Sequence, residues 1–226
     1  VTPSSSAHAL QAAQPPSKAH PIDVNRAGRV YYNPEFKTDT IKVVLGQQAV
    51  GERPDLMIAT TLGSCVAACI HDPVRGIGGM NHFMLPDLPA SEAEDAGTGP
   101  AARYGAVAME RLIEALLAAG AERGRLQVKL FGGASVIDSS YDIGGLNSRF
   151  ALDYVRMERL NLTGQDLGGT LARRIHYFPH AGRALRRLLR PEATIETVTR
   201  ERHFMSQFRR QAAAGKVAPF AAPEGT

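Results

Sequence analysis

Cys65 and His82 are the two residues whose types and spacing could carry out nucleophilic chemistry together. Two apolar runs, VAACI and IGGMNHFMLP, flank HDPVRG, which is the pattern of a β-hairpin about an Asp-Pro turn. Asp72 suits the first position of a type I turn, Pro73 presets φ at the second, and Gly76 relieves strain just after it. With the four-residue turn at 72–75, Cys65 and His82 fall directly opposite each other on one face, with Cβ atoms about 4.5–5.5 Å apart. A one-residue slip would send them to opposite faces. A thiol beside an imidazole is the minimum constellation for a cysteine nucleophile. A charged His82 would lower the thiol pKa and later protonate a leaving group. The tight approach through Gly63 and Ser64 could turn backbone N–H groups toward a developing oxyanion.

Cys–His pairs usually have a third member that orients the imidazole. Thr60 or Thr61 could take that part, and the stretch itself offers no carboxylate for the task. The blander alternatives are a Cys65 that is a small buried hydrophobe, a satisfied core histidine, and threonines chosen as strand formers. Cys69 shares the face of Cys65 by parity and suits packing better than chemistry. A zinc set of Cys65, Cys69, His71 and His82 has the right residue types, but across a flat hairpin it does not converge on one tetrahedral centre.

The elements that must position these residues read as follows. Short strands are expected at 29–32 and 41–45, then the hairpin, then a polar loop over 87–102. A helix over 103–119 has Met109, Leu112, Ile113, Leu116 and Leu117 on its apolar face and Gly120 as its stop. A strand at 126–131 runs into Gly132-Gly133, where positive φ or close backbone approach is expected. A glycine turn at 142–147 lets Asn147 cap a helix reaching about 160. Strands follow at 160–162, 174–178, 184–189 and 194–198, with a turn at 166–169. A closing helix spans 200–211, with Phe204 and Phe208 on one side. Strands outnumber helices and are joined mainly by short turns, which favours α+β over alternating βαβ.

Residues 1–29 are rich in Ser, Ala and Pro without periodicity and read as a disordered leader; 212–226 reads as a disordered tail, leaving 30–211 as one domain. The chain has 226 residues, 26 basic and 22 acidic side chains and a net charge of +4. Two cysteines only four apart cannot build a disulfide framework: on one strand their Cα atoms lie roughly 13 Å apart. Reduced thiols suit a cytoplasmic protein. No apolar run is long enough for a spanning helix, no signal-peptide pattern is visible, and the GxxxxGK[ST] phosphate loop is missing. The arginines of the C-terminal third come without a nucleic-acid motif, so they read as a solvated face or a docking face for an acidic protein.

TTLGSC followed by VAACIHDPVRGIGGMNHFMLP resembles the signature of the CheD chemoreceptor glutamine deamidases, and FGGAS at 131–135, IGGLN at 143–147 and DLGGTLAR at 166–173 agree with it. The similarity covers roughly 30–200. It implies an α/β sandwich similar to the catalytic domain of the cytotoxic necrotizing factor deamidases. It further implies hydrolysis of selected glutamines on methyl-accepting chemotaxis receptors to glutamate and ammonia, and methyl-ester hydrolysis on the same receptors. By match to that signature, Cys65 is the nucleophile and His82 the acid/base. Thr60 is the best match for the family's threonine, with Thr61 as the alternative. The backbone at Gly63 and Ser64 holds the oxyanion, and no metal or other cofactor is expected. A CheC-type phosphatase is an implied partner in some species. The competing expectation is a docking adaptor without turnover.

Overall fold

The computed structural model describes residues 30–85, 100–135 and 142–213; the expected leader, most of the 87–102 loop and most of the tail lie outside them. Among the described residues ten strands form two five-stranded mixed sheets. The first takes the order β1 (Val30–Asn33), β2 (Thr38–Lys42), β4 (Leu56–Leu62), β9 (Arg173–Phe178), β10 (Arg183–Leu188). The second takes β3 (Gln48–Gly51), β6 (Ile77–Asn81), β5 (Val66–Asp72), β7 (Gln127–Gly132), β8 (Asn161–Leu167). Three helices accompany them: α1 (Pro100–Ala118), α2 (Ile143–Met157) and α3 (Pro191–Ala213). The fold is α+β, as the sequence suggests.

Parity decides the layers. Strand β5 is central in its sheet and buried along its whole length. Its Val66, Ala68 and Ile70 join Met109, Leu112, Phe150 and Tyr154 in a core against α1 and α2. The alternate residues Ala67 and Cys69, with Cys65 just ahead of the strand, join Ile41, Ile58, Leu62, Ile175 and Tyr177 in a second core between the sheets. A strand covered on both faces needs a continuous apolar run, and VAACI is one.

Helix α1 ends as Gly120 predicts. Gly120 has φ +96°, and Ala121 N–H and Gly120 N–H donate to Leu116 O and Leu117 O at 2.9 Å each, a Schellman ending. Leu117, expected on the apolar face, is exposed.

Four expectations are corrected. The β5–β6 register pairs Asp72 with Ile77 and Cys69 with Met80, two residues from the expected pairing. The reason is a longer loop: Asp72 Oδ1 accepts from Val74 N and Arg75 N, and Gly76 N reaches back to Asp72 O at φ +63°. A two-residue offset preserves parity, so Cys65 and His82 keep one face as a diagonal pair. Second, α2 is capped by Asp142, whose carboxylate accepts from Gly145 N at 2.9 Å, while Asn147 is buried inside the helix. Third, the expected strand at 194–198 is the first part of α3, where Pro191 suits the opening turn and Glu192 complements the helix dipole. Fourth, 48–51, where no strand is expected, is strand β3. The side chains of Phe204 and Phe208 lie outside the described set.

Candidate active site

Strand β4 delivers Thr60 from the first sheet, β6 delivers His82 just past its end, and the loop between β4 and β5 delivers Gly63, Ser64 and Cys65. Thr60 Oγ1 lies 2.8 Å from His82 Nδ1 and 2.7 Å from Val43 O. A hydroxyl has one proton, and Val43 O can only accept. Thr60 therefore donates to Val43 and accepts from His82 Nδ1–H. The tautomer follows: Nε2 is the bare nitrogen, and it is buried without a hydrogen-bond partner. Thr61 is half-buried and, as the next residue along β4, takes the opposite face of the strand from Thr60.

The loop is held by its neighbours. Cys65 O accepts from Gly133 N at 2.7 Å, Gly63 O accepts from Ala134 N at 2.8 Å, and Asn147 Nδ2 donates to Ser64 O at 2.8 Å. Gly132, at φ +118°, lies so close that a Cβ there would strike Cys65 O. The expected double-glycine approach is thus spent against the thiol-bearing loop itself.

The residue the sequence reading missed is Glu201, on α3, 138 positions from Gly63. Its Oε1 accepts from Gly63 N at 2.7 Å, and its Oε2 accepts from Ser64 N at 2.9 Å and Ser64 Oγ at 3.0 Å. Cys65 Sγ, a ring nitrogen of His82 and a Glu201 oxygen all lie within 4.8 Å of one another, and His82 Nε2 is 3.9 Å from Glu201 Oε1. The only sequence signal was a carboxylate at the end of a buried helix face, Thr194, Thr197, Val198 and Glu201, hidden by the β-branched run that reads as strand.

This is an electrostatically quiet arrangement. Cys65 is fully buried, and burial first, then the Glu201 charge and its hydrogen bond, push the thiol far above its usual pKa. Burial lowers His82 to about 3. Thiol and imidazole are both neutral here. Cys69 is likewise pushed up by burial and stands away from the group. Among the described residues, Cys65, His82 and Glu201 form the one cluster of three metal-ligating types; it includes neither Cys69 nor His71. Both Glu201 oxygens already face N–H donors, whose positive ends would oppose a cation.

A cleft of about 500 Å³ opens between α3 and the first sheet. Val43, Ala59, Thr60, Thr61, His82 and Glu201 are among its walls, and Cys65 is not. No helix among the described residues is long and apolar enough to cross a membrane.

A family model described as CheD chemotactic sensory transduction matches residues 84–188, beginning just after His82. A protein of Bordetella avium named probable chemoreceptor glutamine deamidase CheD is 49% identical over 168 residues, covering 74% of this chain and 73% of its own. Proteins with the same name from Bordetella parapertussis and Rhodopseudomonas palustris are 43% and 44% identical, over 88% and 85% of this chain and 95% and 89% of theirs. Among solved structures, a Neisseria meningitidis protein of the DUF152 family aligns over 54% of this chain and 52% of its own with a TM-score of 0.34 and 10% identity.

Proposed function

The chain belongs to the CheD family, and from that membership we propose that it hydrolyses glutamine side chains of methyl-accepting chemotaxis receptors to glutamate and ammonia. The observation that carries the reading is the meeting of Cys65, His82 and two convergent N–H groups, at Gly63 and Ser64, already holding a carboxylate.

In the proposed sequence His82 Nε2 takes the Cys65 proton, and the thiolate forms a C–S bond to the glutamine Cδ. Gly63 N–H and Ser64 N–H hold the oxyanion. The C–N bond breaks as His82 returns the proton to the departing ammonia. Water then attacks the thioester with His82 as base, the C–S bond breaks, and glutamate leaves. Thr60 keeps Nδ1 protonated throughout, which aims Nε2 at the reaction. The work is placed at the cytoplasmic part of the receptors and reached through protein contacts, which a CheC-type phosphatase would share where one exists.

One observation favours the adaptor reading: Cys65 is sealed and its thiol held neutral. The deciding experiment is mass spectrometry of a receptor cytoplasmic fragment incubated with the chain and with its Cys65→Ala variant. Deamidation, seen as the small mass gain of an amide becoming an acid, is expected with the first alone. Binding of the fragment without any gain would make the chain an adaptor.

A further inference from the structure

We propose that α3 occupies the substrate's own seat: the groove that receives Glu201 is a binding site for a helix presenting a glutamine, and Glu201 fills it as the product-like side chain. The proposal rests on the deamidase reading and goes on to specify how the substrate is received.

Chemical identity comes first. Glutamate is what the reaction leaves when it has acted on glutamine, with the same stem and one oxygen in place of the amide nitrogen. Glu201 sets that product side chain on the Gly63 and Ser64 amides, beside Cys65 and His82. It is not the third member of the pair, because His82 Nδ1 is held by Thr60.

The helix around it supplies the shape. Thr194, Thr197, Val198 and Glu201 fall at positions i, i+3, i+4 and i+7 and are all buried. Val198, one turn before the carboxylate, places Cγ2 only 2.6 Å from where a Cβ of Gly63 would stand. Gly63 must therefore lack a side chain for any helix to lie this close. Ala172 N–H donates to Thr194 Oγ1 at 3.0 Å and fixes the start of the helix. A second helix can put a glutamine on Cys65 only by taking the place of this face, so α3 leaves when substrate enters. An internal occupant lowers apparent affinity by the fraction of time that the seat is empty.

The test follows alkylation of Cys65 by iodoacetamide in the full chain, with mass spectrometry separating it from Cys69. Glu201→Gln, Glu201→Ala and Val198→Ala are compared with the unaltered chain. Binding of the receptor fragment is measured for each in a Cys65→Ala background. Glu201→Ala is expected to label at least about tenfold faster, as for a seat empty ten times as often, and to bind the fragment more tightly, whereas Glu201→Gln, which keeps a substrate-like side chain in the seat, moves both readouts less. Val198→Ala moves both readouts the same way by less, and it decides the matter should the Glu201 variants fail to fold. Unchanged labelling and affinity in folded variants overturn the proposal. Loss of deamidation in Glu201→Ala with unchanged labelling makes Glu201 catalytic and also overturns it. Faster labelling and tighter binding with no deamidation by any form uphold the seat and sink the deamidase reading instead.

Discussion

In the proposed mechanism Cys65 meets two opposed demands, since attack needs a thiolate and a closed, buried position beside a carboxylate keeps the thiol neutral. Cys65→Ala is expected to abolish receptor deamidation while leaving the fold intact by circular dichroism. Thr60→Val removes the acceptor that fixes the His82 tautomer; kcat should fall by about 10²-fold, in the range of a lost acid–base contribution, with little change in KM. Burial also gives His82 a pH signature. Its folded pKa, near 3, lies below the ordinary 6.5, so the unfolded chain binds the extra proton. The contribution of His82 to stability is therefore complete above pH 6.5 and is lost as pH falls from 6.5 toward 3. Urea midpoints across that window should drop, and His82→Gln should flatten the drop; an unchanged slope would count against a buried neutral imidazole. At this scale the sequence was informative within the hairpin. Parity alone put Cys65 and His82 on one face, and a two-residue register error could not undo that. Glu201 was invisible because its partners are far away along the chain, and nothing local marks such a contact.

The elements hold the reactive loop from two sides. A side chain at Gly132 would need positive φ and would strike Cys65 O. Gly132→Ala should cost at least about 2 kcal/mol by denaturant unfolding and displace the thiol. Asn147 ties α2 to the loop, accepting from Leu85 N at 2.8 Å while donating to Ser64 O. Asn147→Ala strands both groups in the interior, and about 2–4 kcal/mol should be lost, one or two kcal/mol for each. Helix α1 was readable because its apolar period and glycine stop agree. The early part of α3 was not. Thr194, Ile195, Thr197 and Val198 have strand propensity, and docking of one helix face against β4 overrides it.

At the scale of the molecule, the two cores put Cys65 between the sheets rather than on an exposed hairpin, which the counting of strands and helices could not reveal. In the first sheet Arg187 of β10 pairs directly with Arg174 of β9, an arrangement that repels, and an acidic receptor segment is expected to relieve it. Arg187→Glu is expected to weaken fragment binding and to reduce its salt dependence.

The cleft beside α3 has a further consequence for timing. Its walls include His82 and Thr60 and not Cys65. The walls that Val43, Ala59 and Thr60 supply from the first sheet stay in place whichever helix lies over the thiol, and they leave a passage to the imidazole. The water that frees the glutamate can then arrive at the imidazole while the acylated side chain is still in place. Ala59→Leu, which narrows that passage, should leave the burst of ammonia intact and slow the second stage, so that the thioester accumulates on Cys65 and is seen by intact-protein mass spectrometry.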